Sequence, residues 1–194
     1  ERIDAALSEL DGSGITVSVD TMHPGVLEVC LKHEIHMIND IAGLSSDTYA
    51  KMAAGAKIPI IAMASVAQPG DAVGFSATTR ALEILVARCK QYGIDNYVLD
   101  PAIGMWVPFR SVDDDWDLCR NFDRFLSFER PLLAAISRKT FIGMLLDRPP
   151  EDRLAGSLAA TFWLLQKGAS LVRTHDVPAT ADVIKVYERL GKRP

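Results

Sequence analysis

The sequence predicts an α/β fold of the (β/α) barrel kind, and three observations carry that expectation. Short β-branched or apolar runs recur along the 194 residues, each followed by a stretch of helical periodicity. Strands alternating with helices in this way are parallel, because a parallel pair is joined by a right-handed crossover and not by a tight hairpin. Polar residues end many different strands, as a barrel mouth requires. Neither Gly-x-Gly-x-x-Gly nor a Walker lysine motif, the usual marks of a doubly wound sheet, occurs.

The six predicted strands are Ile15 to Asp20, His36 to Asp40, Pro59 to Ser65, Tyr97 to Asp100, Leu132 to Ser137 and Leu171 to Asp176. After the first, His23 and Pro24 start a helix. After the third, Leu82, Leu85, Val86 and Cys89 occupy i, i+3, i+4 and i+7, and Gly93 is placed to stop that helix. After the fourth, Ser111 caps a helix with the stripe Leu118, Phe122, Phe125 and Leu126, and Asp113 and Asp114 sit near its positive end. The fifth connection is split by Pro149-Pro150, after which Leu154, Leu158, Phe162 and Leu165 mark a helix ending at Gly168. The last helix begins near Pro178 with the stripe Val183, Val186, Tyr187 and Leu190, and the tail from Gly191 to Pro194 is expected to fray.

At 48% hydrophobic and 24% charged residues, the chain has enough apolar material for one sizeable core, and residues 1–194 read as a single domain. A net charge of -4 with scattered Lys and Arg gives no positive field for nucleic acid. Apolar runs such as Ile60 to Met63 fall far short of the roughly 20 residues that span a bilayer, so no membrane partner is expected. Cys30, Cys89 and Cys119 form no close pair and fit a reducing cytoplasm. The polar opening from Glu1 to Leu10 is unlike a signal peptide, and the absence of an initial Met suggests a processed or truncated start.

Chemistry-bearing residues concentrate at the strand ends: Asp20, Asn39-Asp40, Met63, Asp100, Ser137-Arg138-Lys139, and Arg173 through Asp176. A charge at the end of an apolar strand costs desolvation energy unless it is paired or meets a ligand. A shared polar pocket explains several such endings at once. Strand alternation puts Arg173 and His175 on one face, a combination suited to an anion, and Lys139 extends the positive region. Asp20 and Asp100 are acceptors suited to the donor-rich edge of a heterocycle, and Asn39 offers both a donor and an acceptor.

Plainer readings stand beside these. Either aspartate could cap a helix or form a turn, and Arg173 with Asp176 could be a structural ion pair. Asp40 is expected in a turn before Gly43, and the run from Asp113 to Asp117 reads as a solvated helix start. Methionines read as packing, with Met63 placed to face a flat ligand. No His or Cys spacing indicates a protein metal cage.

Taken in order, Ser18-Val19-Asp20-Thr21, Ile38-Asn39-Asp40-Ile41-Ala42-Gly43, Leu99-Asp100-Pro101, Ser137-Arg138-Lys139 and Arg173-Thr174-His175-Asp176-Val177 resemble the successive signatures of the dihydropteroate synthase family. The resemblance covers almost the whole chain. It implies a TIM-type (β/α)8 barrel, with this chain supplying six of the eight βα units, the third to the eighth. It further implies condensation of 6-hydroxymethyl-7,8-dihydropterin pyrophosphate with p-aminobenzoate, or a modified arylamine, releasing pyrophosphate in folate or methanopterin synthesis. Asn39 and Asp100 would bond the pterin edge, and Lys139 and Met63 would contact the ring. Asp20 would stabilise the cationic methylene, and Arg173 and His175 would hold the leaving anion. Magnesium accompanies the pyrophosphate in the family, and a homodimer through the last helices is implied.

The chain also departs from the family pattern. The Gly-Gly-x-Ser-Thr-Arg-Pro-Gly loop and the magnesium-holding Asn of the first two units have no counterpart in it. The Met-His-Met-like run is Met63-Ala64-Ser65, and the glycine-rich turn with its lysine has become Ala102-Ile103-Gly104-Met105-Trp106-Val107. These changes fall on the arylamine side. A pterin-dependent methyltransferase of the same barrel family and a non-catalytic pterin-binding protein are the alternative readings. The first does not account for Ser137-Arg138-Lys139.

Overall fold

The computed structural model describes residues 2–104 and 107–191. Met105 and Trp106 of the altered turn, and the end of the tail expected to fray, lie outside the described residues. The chain divides into two compact units, one of Glu1–Ala72 with Arg80–Leu99, the other of Val73–Thr79 with Asp100–Pro194. No helix among the described residues is long and apolar enough to cross a membrane.

In the first unit the order is α1 (Arg2–Ser8), β1 (Ser18–Asp20), α2 (Pro24–Cys30), β2 (Met37–Asp40), α3 (Asp47–Ala56), β3 (Ile60–Met63), most of α4 (Gly74–Tyr92) and β4 (Tyr97–Asp100). The four strands lie in the order β1-β2-β3-β4. β1 pairs with β2 and β2 with β3, both parallel. Every residue of β3 is buried, as its continuous apolar run requires of a strand covered on both faces. The predicted α4 stripe is in place, with Leu82, Leu85 and Cys89 at 0% exposure. Gly93 follows at a φ of 68°, the left-handed conformation that ends a helix cheaply only at glycine.

The first strand is three residues long and not six. Upstream of it the Val17 amide is taken by the His36 ring rather than by a neighbouring strand, and Ile15 is exposed. Cys30 of α2, Cys89 of α4 and Cys119 of the second unit are buried and form no disulfide among the described residues.

The second unit carries α5 (Val112–Arg120), a 3-10 helix over Phe122–Phe128, β5 (Leu133–Ala134), α6 (Thr140–Leu146), a 3-10 turn over Pro150–Asp152, α7 (Leu154–Gln166), β6 (Leu171–Val172) and α8 (Val177–Gly191). β5 and β6 are parallel. Ser111 caps α5 in a reciprocal box with Asp114, satisfying amides that would otherwise be orphaned at the helix start.

The helix expected to continue through Leu126 stops at Asn121. Its side chain donates to the Asp117 carbonyl and carboxylate, a local bond that competes with helix continuation. Phe122 and Phe125 are buried as expected, whereas Leu126 is 44% exposed. The Asp113 to Asp117 run is not wholly solvated either, since Asp115 is fully buried against Arg110. On α7 the buried residues are Ser157, Thr161, Leu164 and Leu165. Leu154 of the expected stripe is exposed, and Phe162 meets Tyr187 of α8 edge to face at 6.0 Å. Both β5 and β6 are two residues long. The expected Arg173/His175 alternation therefore has no strand to act through.

Candidate functional site

In the first unit the polar residues follow from the register of β1 on β2. Asp20 lies opposite Asn39, exposed at its strand end, while Asn39 is 4% exposed. The Asn39 side-chain nitrogen has no hydrogen-bond partner among the described residues. A buried amide donor left unpaired costs on the order of 1–3 kcal/mol, and a ligand acceptor would remove that penalty.

Asp40 is structural, as the turn reading had it. Its carboxylate accepts from the amides of Ala42, at 3.1 Å, and Leu44, at 2.6 Å. Burial pushes its pKa up against those two bonds. Gly43 within that turn has a φ of 63°, and a Cβ there would lie 2.4 Å from the Ser65 carbonyl oxygen. Arg88 of α4 ties the same turn by donating to the Gly43 and Val66 carbonyls. Tyr49 donates to the Thr21 carbonyl at 2.6 Å, which fixes the backbone just past Asp20. Met63 is 1% exposed, fully packed at the end of β3.

In the second unit Asp100 is 4% exposed, and its Oδ1 accepts from the Ala102 amide at 2.8 Å. One oxygen therefore shapes a turn in which Ala102 takes a φ of 59°. Lys139 follows β5 at the start of α6. Burial lowers the pKa of its ammonium; Asp100 opposes that shift, Arg173 reinforces it, and Asp115 and Arg110 act in opposite senses with smaller effect. Asp100 and Arg173 thus act on the Lys139 ammonium in opposite senses.

The turn from Ser137 to Lys139 is braced from several directions. The Arg138 amide donates to the Ser157 hydroxyl at 2.9 Å, and Arg153 donates to the Arg138 carbonyl at 2.9 Å. The Arg138 side chain grips Asp176, its Nε donating to Oδ2 at 2.9 Å with a second bond from Nη2 to Oδ1. Asp176 is thereby a partner of Arg138. The pairing holds the Asp176 carboxyl below its ordinary pKa.

Beyond β6 the Ser137 hydroxyl gathers the next segment. It accepts from the His175 amide at 3.2 Å and lies 3.0 Å from His175 Nδ1. Arg173 and His175 are both exposed, and the ring of His175 is oriented by Ser137.

Sequence reasoning missed Arg110 and Asp115, and it named Arg138 among the strand-end residues without finding its partner Asp176. Asp115 falls three and four residues before the buried Leu118 and Cys119, so its helical spacing already put it on the inner stripe. Nothing in its immediate neighbours marks Arg110 as buried. Among the described residues no group of three or more His, Cys, Asp or Glu could hold a metal ion.

Residues 1–175 match the family described as pterin binding enzyme. The chain is 34% identical over 184 residues to dihydropteroate synthase of Escherichia coli strain K12, covering 90% of this chain and 64% of that protein. To dihydropteroate synthase of Bacillus subtilis it is 32% identical over 180 residues, covering 91% of this chain and 62% of the relative. It therefore spans less than two thirds of these curated relatives.

Among solved structures, a Coxiella burnetii dihydropteroate synthase in complex with pteroic acid superposes with a TM-score of 0.84 at 32% identity, over 97% of this chain and 70% of that one. The Xanthomonas albilineans enzyme with 4-aminobenzoic acid gives 0.85 at 31%, over 99% and 70%. The fold class is accordingly that of these structures, the TIM-type (β/α) barrel, and this chain carries six of the eight strand-helix units.

Proposed function

The chain belongs to the pterin-binding enzyme family, and from that membership we propose that it is the pterin-binding portion of a dihydropteroate synthase-like transferase. The single observation that carries the reading is the buried amide of Asn39, left without a partner among the described residues beside Asp20. A pterin edge offers ring acceptors beside amino donors and would satisfy it. Residues 1–194 are read as one barrel domain lacking the first two units of the family.

In this reading Asn39 and Asp100 bond the pterin edge and Lys139 contacts its ring, whereas Met63, at 1% exposure, serves as packing rather than the expected ring contact. Arg173 and His175 hold the pyrophosphate. The bond between the pterin methylene and pyrophosphate oxygen breaks with its electron pair leaving on the pyrophosphate, and Asp20 stabilises the cationic methylene. The arylamine nitrogen then forms the new carbon–nitrogen bond and loses a proton to solvent. An arylamine is a weak nucleophile, so stabilising the separated charges supplies most of the rate. Preorganised groups of this sort are typically worth about 3–4 kcal/mol each.

Pterin pyrophosphate and an arylamine are thus the substrates. Two solved relatives, one in complex with pteroic acid and one with 4-aminobenzoic acid, support that choice. Magnesium would arrive with the pyrophosphate; the described residues offer it no three-ligand cluster, and no step is derived through it. A reducing cytoplasm suits three buried thiols outside any disulfide among the described residues. Val186 and Leu190 on α8 are 54% and 69% exposed, which supports a homodimer through the C-terminal helices, a state that sedimentation equilibrium reads directly.

The test of the activity is pyrophosphate release by the protein carrying this chain. Release with p-aminobenzoate or its ribosylated analogue is expected. No release with either, from a preparation that binds the pterin pyrophosphate, would leave pterin binding without transfer.

A further inference from the structure

Arg110 and Asp115 are 1% and 0% exposed. The guanidinium meets one carboxylate oxygen, Oδ1, with Nε at 2.8 Å and Nη2 at 2.7 Å. The same oxygen accepts the Gly104 amide at 2.8 Å. Gly104 in turn is where Lys139 lies. A Cβ built on Gly104 would stand 2.7 Å from Lys139 Nζ and 3.2 Å from its Cδ. The lysine stem and ammonium therefore rest on bare Gly104 backbone, and that backbone is fastened to the buried pair.

Burying two charges costs several kcal/mol per ion, which their attraction repays only with good geometry, so such a pair is poor evidence of a stability device. Its placement calls for another account. We propose that Arg110 and Asp115 are positioning residues for Lys139, holding the Gly104 backbone as the seat of the lysine and balancing the charge around its ammonium. Among the described residues, the charged groups that act on that ammonium include Asp100, Arg173, Asp115 and Arg110. Arg110 and Asp115 supply one charge of each sign, and removing either leaves the other uncompensated.

The inference deepens the proposed function, since Lys139 is there a pterin contact. Its test is nevertheless made without pterin, so a failure of pterin binding and a failure of this inference remain separate results. The reactivity of Lys139 toward acetic anhydride is followed against pH in the full chain, with its peptide quantified by mass spectrometry and exposed Lys185 as the internal reference.

Removing the guanidinium in Arg110→Met leaves a carboxylate near the ammonium and is expected to raise the midpoint by about one pH unit. Asp115→Asn leaves the guanidinium and is expected to lower it by about the same amount. Arg110→Lys keeps the buried cation and so the fold, but loses the planar fork that grips Oδ1. In that variant the midpoint stays near wild type while the limiting rate of the neutral amine rises severalfold, because the Gly104 seat is loosened. Opposite shifts in the first two variants and a faster limiting rate in the third support the inference. Midpoints that move in the same direction or stay put, or an unchanged limiting rate in Arg110→Lys, would overturn it.

Discussion

Arg173 and His175 differ in what holds them, and the difference has a chemical consequence. The imidazole is oriented by the Ser137 hydroxyl, while Arg173 donates its amide to the Ala134 carbonyl at 3.0 Å, the last rung beyond β6. A guanidinium offers an anion a planar fork of donors, so the arginine should supply most of the affinity for a pyrophosphate arm and little for a bare pterin. Arg173→Ala is accordingly expected to weaken binding of the pterin pyrophosphate by roughly tenfold or more, about the worth of one charge-assisted bond. Binding of the pterin alcohol should hardly change, and equal losses for the two ligands would remove Arg173 from the anion site. At this scale the strand-end residues were legible because polarity is costly there. Arg110 was not, because only its partner on α5 reveals that a charge in a loop is buried.

Elements were legible where a hydrophobic period and a stop signal agreed, as in α4 with its stripe and Gly93. They were misread where a side chain captured a backbone group: the His36 ring shortens β1, and Asn121 breaks the helix after Ser111. A similar capture ties α1 down. His33 places Nδ1 2.7 Å from Asp11 and Nε2 3.1 Å from Asp4, and both ring nitrogens can donate to carboxylates only in the imidazolium form. The bond to Asp11, followed by that to Asp4, raises the pKa of the ring. The bond to His33, followed by that from the Glu34 amide, lowers the pKa of Asp11.

The histidine's contribution is therefore complete below its unfolded value of about 6.5 and disappears as pH rises through the higher folded value. The carboxylate's contribution is present above about 3.9 and disappears as pH falls through its lower folded value. The clasp is strongest between those limits. Hydrogen-exchange protection of α1, corrected for the intrinsic rate, should fall between pH 6 and pH 8, and His33→Gln should abolish that dependence. Protection that is independent of pH in the wild-type chain would show that the clasp carries no charge.

For the molecule as a whole, the regular alternation of strand and helix predicted the fold class, because period and connection length are local properties of a sequence. The two-residue strands β5 and β6 were overestimated, since the length of a ladder is set by what pairs with it and not by its own composition. The central claim is that the strand-end residues bind a pterin. Its most direct test is a calorimetric titration of the wild-type chain and Asp100→Asn with 6-hydroxymethyl-7,8-dihydropterin. Asn at this position keeps the size but replaces one acceptor oxygen with a donor, which leaves a ring donor unmatched and costs on the order of 1–3 kcal/mol. The account predicts measurable binding by wild type and a loss of about tenfold to a hundredfold in the variant. Equal affinities, or no binding by wild type, would contradict it.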